Sequence, residues 1–202
     1  MTELIFIRHG ETDWNIRGCF QGQLDVPLNA TGQAQAQRLA RRLAGERPDA
    51  LFSSDLDRAR ATAAPLAATW GLAPTTLAGL REQHFGVLEG LDMASARARH
   101  PEAWERWLEQ RADYEIPGGG ESRLRFHARV VAAVDALARE AAGRRVVVVT
   151  HGGVLDMLWR DIQGLTLDGQ RDCPIPNTGI NRLRWVDGRL QIDVWGDAAH
   201  LE

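Results

Sequence analysis

Two histidines in this chain stand at the ends of apolar runs, and each is followed by glycine: Phe6-Ile7-Arg8-His9-Gly10 near the start, and Val148-Val149-Thr150-His151-Gly152 much later. An imidazole beside a fixed cation is suited to holding and attacking an anion. Neutral imidazole offers a nitrogen lone pair without negative charge of its own, and the forked donors of arginine match a phosphate. All 24 basic residues are arginine and none is lysine. The two cysteines, Cys19 and Cys173, lack metal-ligand spacing and are expected to be free thiols. The histidines are isolated from one another, with no His-x-x-x-His pair and no carboxylate cluster of metal-ligand type, so no metal and no cofactor is expected.

The elements that must position these residues follow from periodicity. Leu4-Ile5-Phe6-Ile7 and Val146-Val147-Val148-Val149 are continuous apolar runs of strand length, as expected of strands buried on both faces. Side by side in a parallel sheet they would bring His9 and His151 together at their carboxyl ends, where open α/β sheets bind ligands. Gly10 is expected to permit the turn that ends the first strand. Residues 15–27, containing Gln21-Gly22, read as a polar, glycine-rich loop near His9. A helix is predicted over 31–44 from the spacing of Ala36, Leu39, Ala40 and Leu43, capped by Asn29 or Thr31 and ended by Gly45. A short strand over 50–53 leads to a helix running to Trp70, capped by Asp55. Pro65 predicts a kink or break in it. A third strand is expected over 75–77, then an irregular segment over 79–90.

Two helices over 92–99 and 102–112, divided by Pro101, suggest a small helical cap over one end of the sheet, about 92–116. Trp104 and Trp107 within it read either as core or as a contact surface. Pro117-Gly118-Gly119-Gly120-Glu121-Ser122 is a turn with an N-cap, opening the longest helix, whose buried face is Phe126, Val130, Val134, Leu137 and Ala141 and which ends at Gly143. A helix over 153–162 follows the second His-Gly. Residues 180–186 and 190–195, joined through Asp187-Gly188, read as a hairpin. The fold class is therefore α/β: a three-layer sandwich with a mostly parallel central sheet, helices on its flanks and an antiparallel edge.

Composition excludes several classes. With 202 residues the chain suits one domain over 1–202. A 44% hydrophobic and 25% charged content is that of an ordinary globular protein, and a net charge of −3 argues against a nucleic-acid partner. No apolar run approaches the ~18 residues of a spanning helix, and the start of the chain lacks a signal-peptide layout, so no membrane association and a cytoplasmic location are expected. A monomer or a homodimer is expected, the dimer through the exposed edge of the terminal hairpin.

Four blocks together resemble the histidine phosphatase superfamily, which includes the cofactor-dependent phosphoglycerate mutases. They are Arg8-His9-Gly10-Glu11-Thr12 with Asn15; Ser53-Ser54-Asp55-Leu56-Asp57-Arg58-Ala59; Leu80-Arg81-Glu82 with Phe85-Gly86; and His151-Gly152. The resemblance implies that His9 is a nucleophile that becomes a phosphohistidine, its other ring nitrogen tied to a backbone carbonyl. It implies that Arg8, Arg58 and His151 donate to the non-bridging phosphate oxygens, with Asn15 and the backbone near Gly152 completing the cradle, and that Glu82 is the proton donor. Gln21 and Gly22 are further candidates for substrate binding. His84, His100, His127 and His200 lie outside the blocks and are expected to be structural or exposed.

Within the superfamily the resemblance is to the broad phosphatase branch, which includes alpha-ribazole phosphatase and fructose-2,6-bisphosphatase-like enzymes. Phosphoglycerate mutases carry an insertion with adjacent arginines and a lysine that hold the substrate carboxylate. The segment 92–112 has Arg106 and Arg111 but no lysine and no adjacent arginine pair. The reading is a metal-independent phosphatase acting on a small phosphorylated metabolite, with a phosphoglycerate mutase as the alternative. A non-catalytic phosphate-binding module is the reading from a different class. None of Arg8, His9, Arg58, Glu82 or His151 is replaced, which argues against it.

Overall fold

The computed structural model describes residues 1–202. The two apolar runs form β1 (Thr2–Arg8) and β4 (Arg145–Thr150), which pair in parallel from Glu3 opposite Arg145 to Arg8 opposite Thr150. With β2 (Ala50–Ser53), β3 (Thr75–Thr76), β5 (Ile180–Val186) and β6 (Arg189–Asp197) they make one sheet in the order β3-β2-β4-β1-β5-β6. β3, β2, β4 and β1 run parallel, β5 runs antiparallel to β1, and β6 closes a hairpin on β5. The Asp187-Gly188 turn has φ of 49° and 79°, the two positive values a tight hairpin of the favoured twist requires.

The strand pleat sorts the central strands into two cores. Leu4, Phe6, Val146 and Val148 face Phe126, Val130, Val134 and Leu137 of α6 (Arg123–Glu140) and Val154, Leu155 and Leu158 of α7 (Gly152–Gln163). Ile5, Ile7, Val147 and Val149 face Leu39 and Ala40 of α2 (Ala30–Arg42) and Ala59, Ala63 and Leu66 of α3 (Asp57–Trp70). Helix, sheet, helix is the three-layer arrangement that a continuous apolar strand demands, because both of its faces must be covered. Each fully buried aliphatic side chain contributes roughly 1.5–3 kcal/mol, and the anchored strands hold the His-Gly ends in place.

Several local expectations are corrected. The segment after β1 is not all loop: α1 (Asp13–Arg17) forms because Thr12 and Asn15 cap each other reciprocally, a box with Asn where Glu is usual. Asp55 does not cap α3; it binds the Arg81 guanidinium through two bonds of 2.8 and 2.6 Å, and Leu56 takes the cap position. Pro65 does not break α3, which runs through it to Trp70. An interior proline costs ~3 kcal/mol, and the burial of Ala59, Ala63 and Leu66 on the same helix outweighs it. Gly10 has an ordinary φ; glycine is needed there because a β-carbon would stand 2.7 Å from the Gly32 carbonyl oxygen.

The middle helices are α4 (Met93–Arg99), capped by Asp92, and α5 (Pro101–Leu108), with Pro101 in its first turn. α5 ends short of residue 112 because Gln110 turns left-handed at φ 53°. Trp104 and Trp107 stack at 5.3 Å and meet the Phe20 ring edge-on, in a small third core with Leu88, Ala96, Ala103 and Ile116. No helix is long and apolar enough to cross a membrane.

Candidate active site

The parallel register of β1 and β4 carries the chain ends out together. The His9 amide donates to the Thr150 carbonyl at 2.8 Å, and the His9 and His151 ring centroids lie 5.2 Å apart. Both rings are buried, at 3% and 0% exposure. Nδ1 of His9 lies 2.7 Å from the Gly10 carbonyl oxygen, so the ring proton belongs on Nδ1 and the lone pair on Nε2. Nε2 of His151 lies 2.8 Å from the Ser54 hydroxyl. That hydroxyl already accepts from the Leu56 amide, leaving its proton to donate to Nε2 and the His151 ring proton on Nδ1.

A pocket of about 270 Å³ brings together Arg8, His9, Asn15, Gln21, Gly22, Arg58 and Glu82, with Trp14 and Cys19 also in its wall. Arg8 donates through Nη1 to the Ile175 carbonyl at 2.7 Å. Arg58, wholly buried near the start of α3, donates to the Leu24 and Gly22 carbonyls at 2.9 and 2.7 Å and so braces the loop that lines the pocket. Gly22 has φ 51°, and a β-carbon there would overlap the Glu89 carboxylate. Asn15 accepts through Oδ1 from the Thr12 amide at 3.0 Å, and Gln21 accepts from the Thr12 hydroxyl at 3.0 Å. Gly152 opens α7 against the Arg8 guanidinium; a β-carbon at Gly152 would lie 3.4 Å from Arg8 Nε. All nine candidate residues thus converge. His84, His127 and His200 bind Gly86, Asp161 and Thr178 instead and lie outside this pocket.

The electrostatics are those of an anion site. Four buried polar side-chain nitrogens in the chain have no partner, and three belong here: Arg8 Nε, Arg58 Nε and His151 Nδ1. Each unpartnered buried donor costs about 1–3 kcal/mol, a cost that an anion accepting from all three would offset. Burial, followed by the charges of Arg58 and Arg8, holds the His9 pKa well below the ordinary histidine value. Burial and then Arg58 do the same for His151. Arg8 is itself pushed down to about 10, by burial first and then by Arg171. Both rings are therefore neutral at physiological pH, between two guanidinium cations and a single pocket carboxylate, Glu82.

Glu82 is fixed on both sides. Its Oε1 accepts from the Gln83 amide at 2.8 Å and its Oε2 from the Gly153 amide at 3.0 Å. A β-carbon at Gly153 would overlap Oε1, so glycine there admits the carboxyl to the first turn of α7. The Glu82 backbone is held by a guanidinium from α6: Arg129 donates to the carbonyls of Gly79, Arg81 and Glu82 at 3.0, 3.0 and 3.2 Å. Glu121 orients Arg129 through bonds of 2.8 and 2.7 Å and accepts from the His84 amide at 3.0 Å. Ser122 is the cap of α6, and Glu121 is a brace behind the pocket wall.

Sequence reasoning missed Arg129, Gly153 and the roles of Ser54 and Glu121; for Gly153 the doubled glycine after His151 was the available signal. Arg129→Leu is expected to lower stability by on the order of 2–3 kcal/mol, since it strands Glu121 and three carbonyls. It should lower kcat with little change in KM. An unchanged urea midpoint together with unchanged kcat would remove the brace.

The chain matches a family model described as the histidine phosphatase superfamily (branch 1) over residues 4–198. It is 42% identical to phosphoglycerate mutase-like protein 4 of Arabidopsis thaliana, across 99% of this chain and 87% of that one. It is 39% identical to the metal-independent phosphoserine phosphatase of the same plant, across 100% and 84%. Among solved structures it superposes on Bacillus stearothermophilus YhfR with a TM-score of 0.92 at 30% identity, covering 100% of both chains. Paired His-Gly strand ends, a neutral buried imidazole and orphaned donors around it are the features of phosphoryl chemistry on histidine, and with the family model spanning nearly the whole chain, the protein belongs to the histidine phosphatase superfamily.

Proposed function

We propose that this histidine phosphatase hydrolyses small-molecule phosphate monoesters through a phosphohistidine on His9, with Glu82 as the proton donor. The observation that carries the reading is the convergence of three unpartnered buried donors, Arg8 Nε, Arg58 Nε and His151 Nδ1, around an imidazole whose Nδ1 is tied to a carbonyl. A phosphate monoester dianion binding there accepts from those donors and meets the Nε2 lone pair without repulsion from a charged nucleophile. Nε2 forms a bond to phosphorus as the bond from phosphorus to the ester oxygen breaks, and Glu82, which enters this step as the carboxylic acid, delivers its proton to that oxygen and is left as the carboxylate. Water then attacks the phosphohistidine, the Glu82 carboxylate takes the water proton, and the P–N bond breaks to release phosphate and restore neutral His9. The two guanidiniums beside a single carboxylate disfavour a metal cation and themselves neutralise the phosphate charge, so the chemistry needs no metal.

Water rather than a second substrate hydroxyl is favoured because the two arginines of the helical segment that line the neighbouring chamber each lie beside a carboxylate of their own: Arg106 pairs with Glu109 at 2.9 Å and Arg111 lies 3.5 Å from Asp113. The relative named as a phosphoserine phosphatase makes O-phosphoserine the first ester to test. The assay runs phosphate release beside 3-/2-phosphoglycerate interconversion, with and without 2,3-bisphosphoglycerate and with and without EDTA. Release that is indifferent to chelator, with no interconversion, is expected. Rapid bisphosphoglycerate-dependent interconversion would make the protein a mutase, and loss of release in EDTA would overturn the metal-free mechanism.

A further inference from the structure

The catalytic pocket adjoins a larger chamber of about 500 Å³ that shares Glu82, Phe85, Met93 and Trp107 with it. The charged side chains of the chamber are Arg106, Arg111, Arg123 and Arg171 against Glu82 and Asp156. Arg106 and Arg111 lie against their own surface carboxylates. Arg123 is committed to the carbonyls of Leu167 and Gly169 and to the side chain of Gln110. Arg171 alone among the four is unassigned. It makes no hydrogen bond within the protein, and its nearest carboxylate oxygen, Asp156 Oδ1 at 3.8 Å, already accepts from buried Arg160.

The position of Arg171 is nevertheless built. Arg160, 3% exposed, gathers the carbonyls of Thr166, Asp168, Gly169 and Gln170 at 2.5 to 3.2 Å, so the loop ending at Arg171 is fastened from beneath. That loop sets Arg171 Nη1 beside Arg8: a β-carbon at Gly152 would lie 3.5 Å from the one and 3.4 Å from Arg8 Nε. The repulsion is felt by Arg8, whose pKa Arg171 helps to depress. Two like charges held side by side raise the energy of the free protein, and an anion between or beyond them relieves it. Arg171 lines the chamber but not the pocket that contains His9, so the group it faces belongs to the remainder of the substrate rather than to the ester phosphate.

We infer that Arg171 is a specificity residue: it binds a second anionic group, a carboxylate or a further phosphoryl, carried a few bonds from the ester phosphorus and seated in the chamber. The inference rests on the phosphatase reading, and its test separates the two. Wild type, Arg171→Met and Arg171→Lys are compared by kcat/KM on O-phosphoserine and 3-phosphoglycerate, on 2,3-bisphosphoglycerate, and on glycerol phosphate and p-nitrophenyl phosphate, which lack a second anion. The ratio of doubly anionic to singly anionic ester is expected to fall on the order of 10- to 100-fold in Arg171→Met, the worth of a charge-assisted hydrogen bond. The fall should lie mainly in KM and be partly restored in Arg171→Lys. A larger fall on the carboxylate esters identifies the second group as carboxylate; a larger fall on the bisphosphate identifies it as phosphoryl. An unchanged ratio on every pair overturns the inference while leaving the phosphatase reading intact. Absence of phosphate release from every one of these esters in wild type overturns both.

Discussion

His9→Ala is expected to reduce turnover by on the order of 10⁴-fold or more, the scale seen when a covalent nucleophile is removed, while leaving phosphate or vanadate binding measurable by calorimetry. The split follows from the division of labour at the site. His9 Nε2 supplies the bond to phosphorus, whereas Arg8, Arg58 and His151 supply the donors, and those donors survive the substitution. A phosphoryl label trapped on wild type should be lost in acid, persist in base and be missing from His9→Ala. Residual turnover within about a hundredfold of wild type would remove His9 as nucleophile. The depressed histidine pKa also bears on stability. The unfolded chain binds protons near 6.5 that the buried folded rings do not accept, so stability present at neutral pH is lost as the pH falls below that value. His9→Ala should flatten the fall in urea midpoint between about pH 7 and 5.

Glu82→Gln is expected to lower kcat by about 10²–10⁴-fold on alkyl phosphates such as O-phosphoserine, the range of general acid catalysis. The loss should stay within about tenfold on p-nitrophenyl phosphate, whose leaving oxygen departs without a proton. Glutamine has one acceptor oxygen, which can keep the bond from the Gly153 amide at the expense of the one from Gln83, and it has no proton to give to an alkoxide. Gly153→Ala should show the same leaving-group dependence, because its methyl would occupy the place of Glu82 Oε1 and displace the carboxyl. Equal losses on both esters in Glu82→Gln would exclude Glu82 as the acid. A full loss in Glu82→Gln with wild-type behaviour in Gly153→Ala would mean that the carboxyl works from another position.

The architecture was legible wherever it depends on periodic burial. The continuous runs at Leu4–Ile7 and Val146–Val149 specify strands covered on both faces, and Asp187-Gly188 between alternating runs specifies the hairpin. Local signals failed where tertiary packing or an uncommon cap prevailed. α1 depends on Asn15 standing in a capping box, and α3 continues through Pro65 because its face is buried between the sheet and α2. Asp55 is drawn from a cap position to Arg81, far along the chain.

By itself the sequence determined that two His-Gly turns end buried parallel strands and that an arginine accompanies the first of them, because side-chain alternation and β-branching act over a few residues. The four blocks, in their order, also identified the chemistry by resemblance. Only the tertiary structure decided how the charges are deployed. It set Ser54 to orient His151, Arg129 and Glu121 to brace Glu82, Gly153 to admit its carboxyl, and Arg160 to present Arg171 beside Arg8. Most of these contacts join residues far apart in the chain, and they leave no periodic trace; they arise from packing, and from the requirement that buried polar groups find partners.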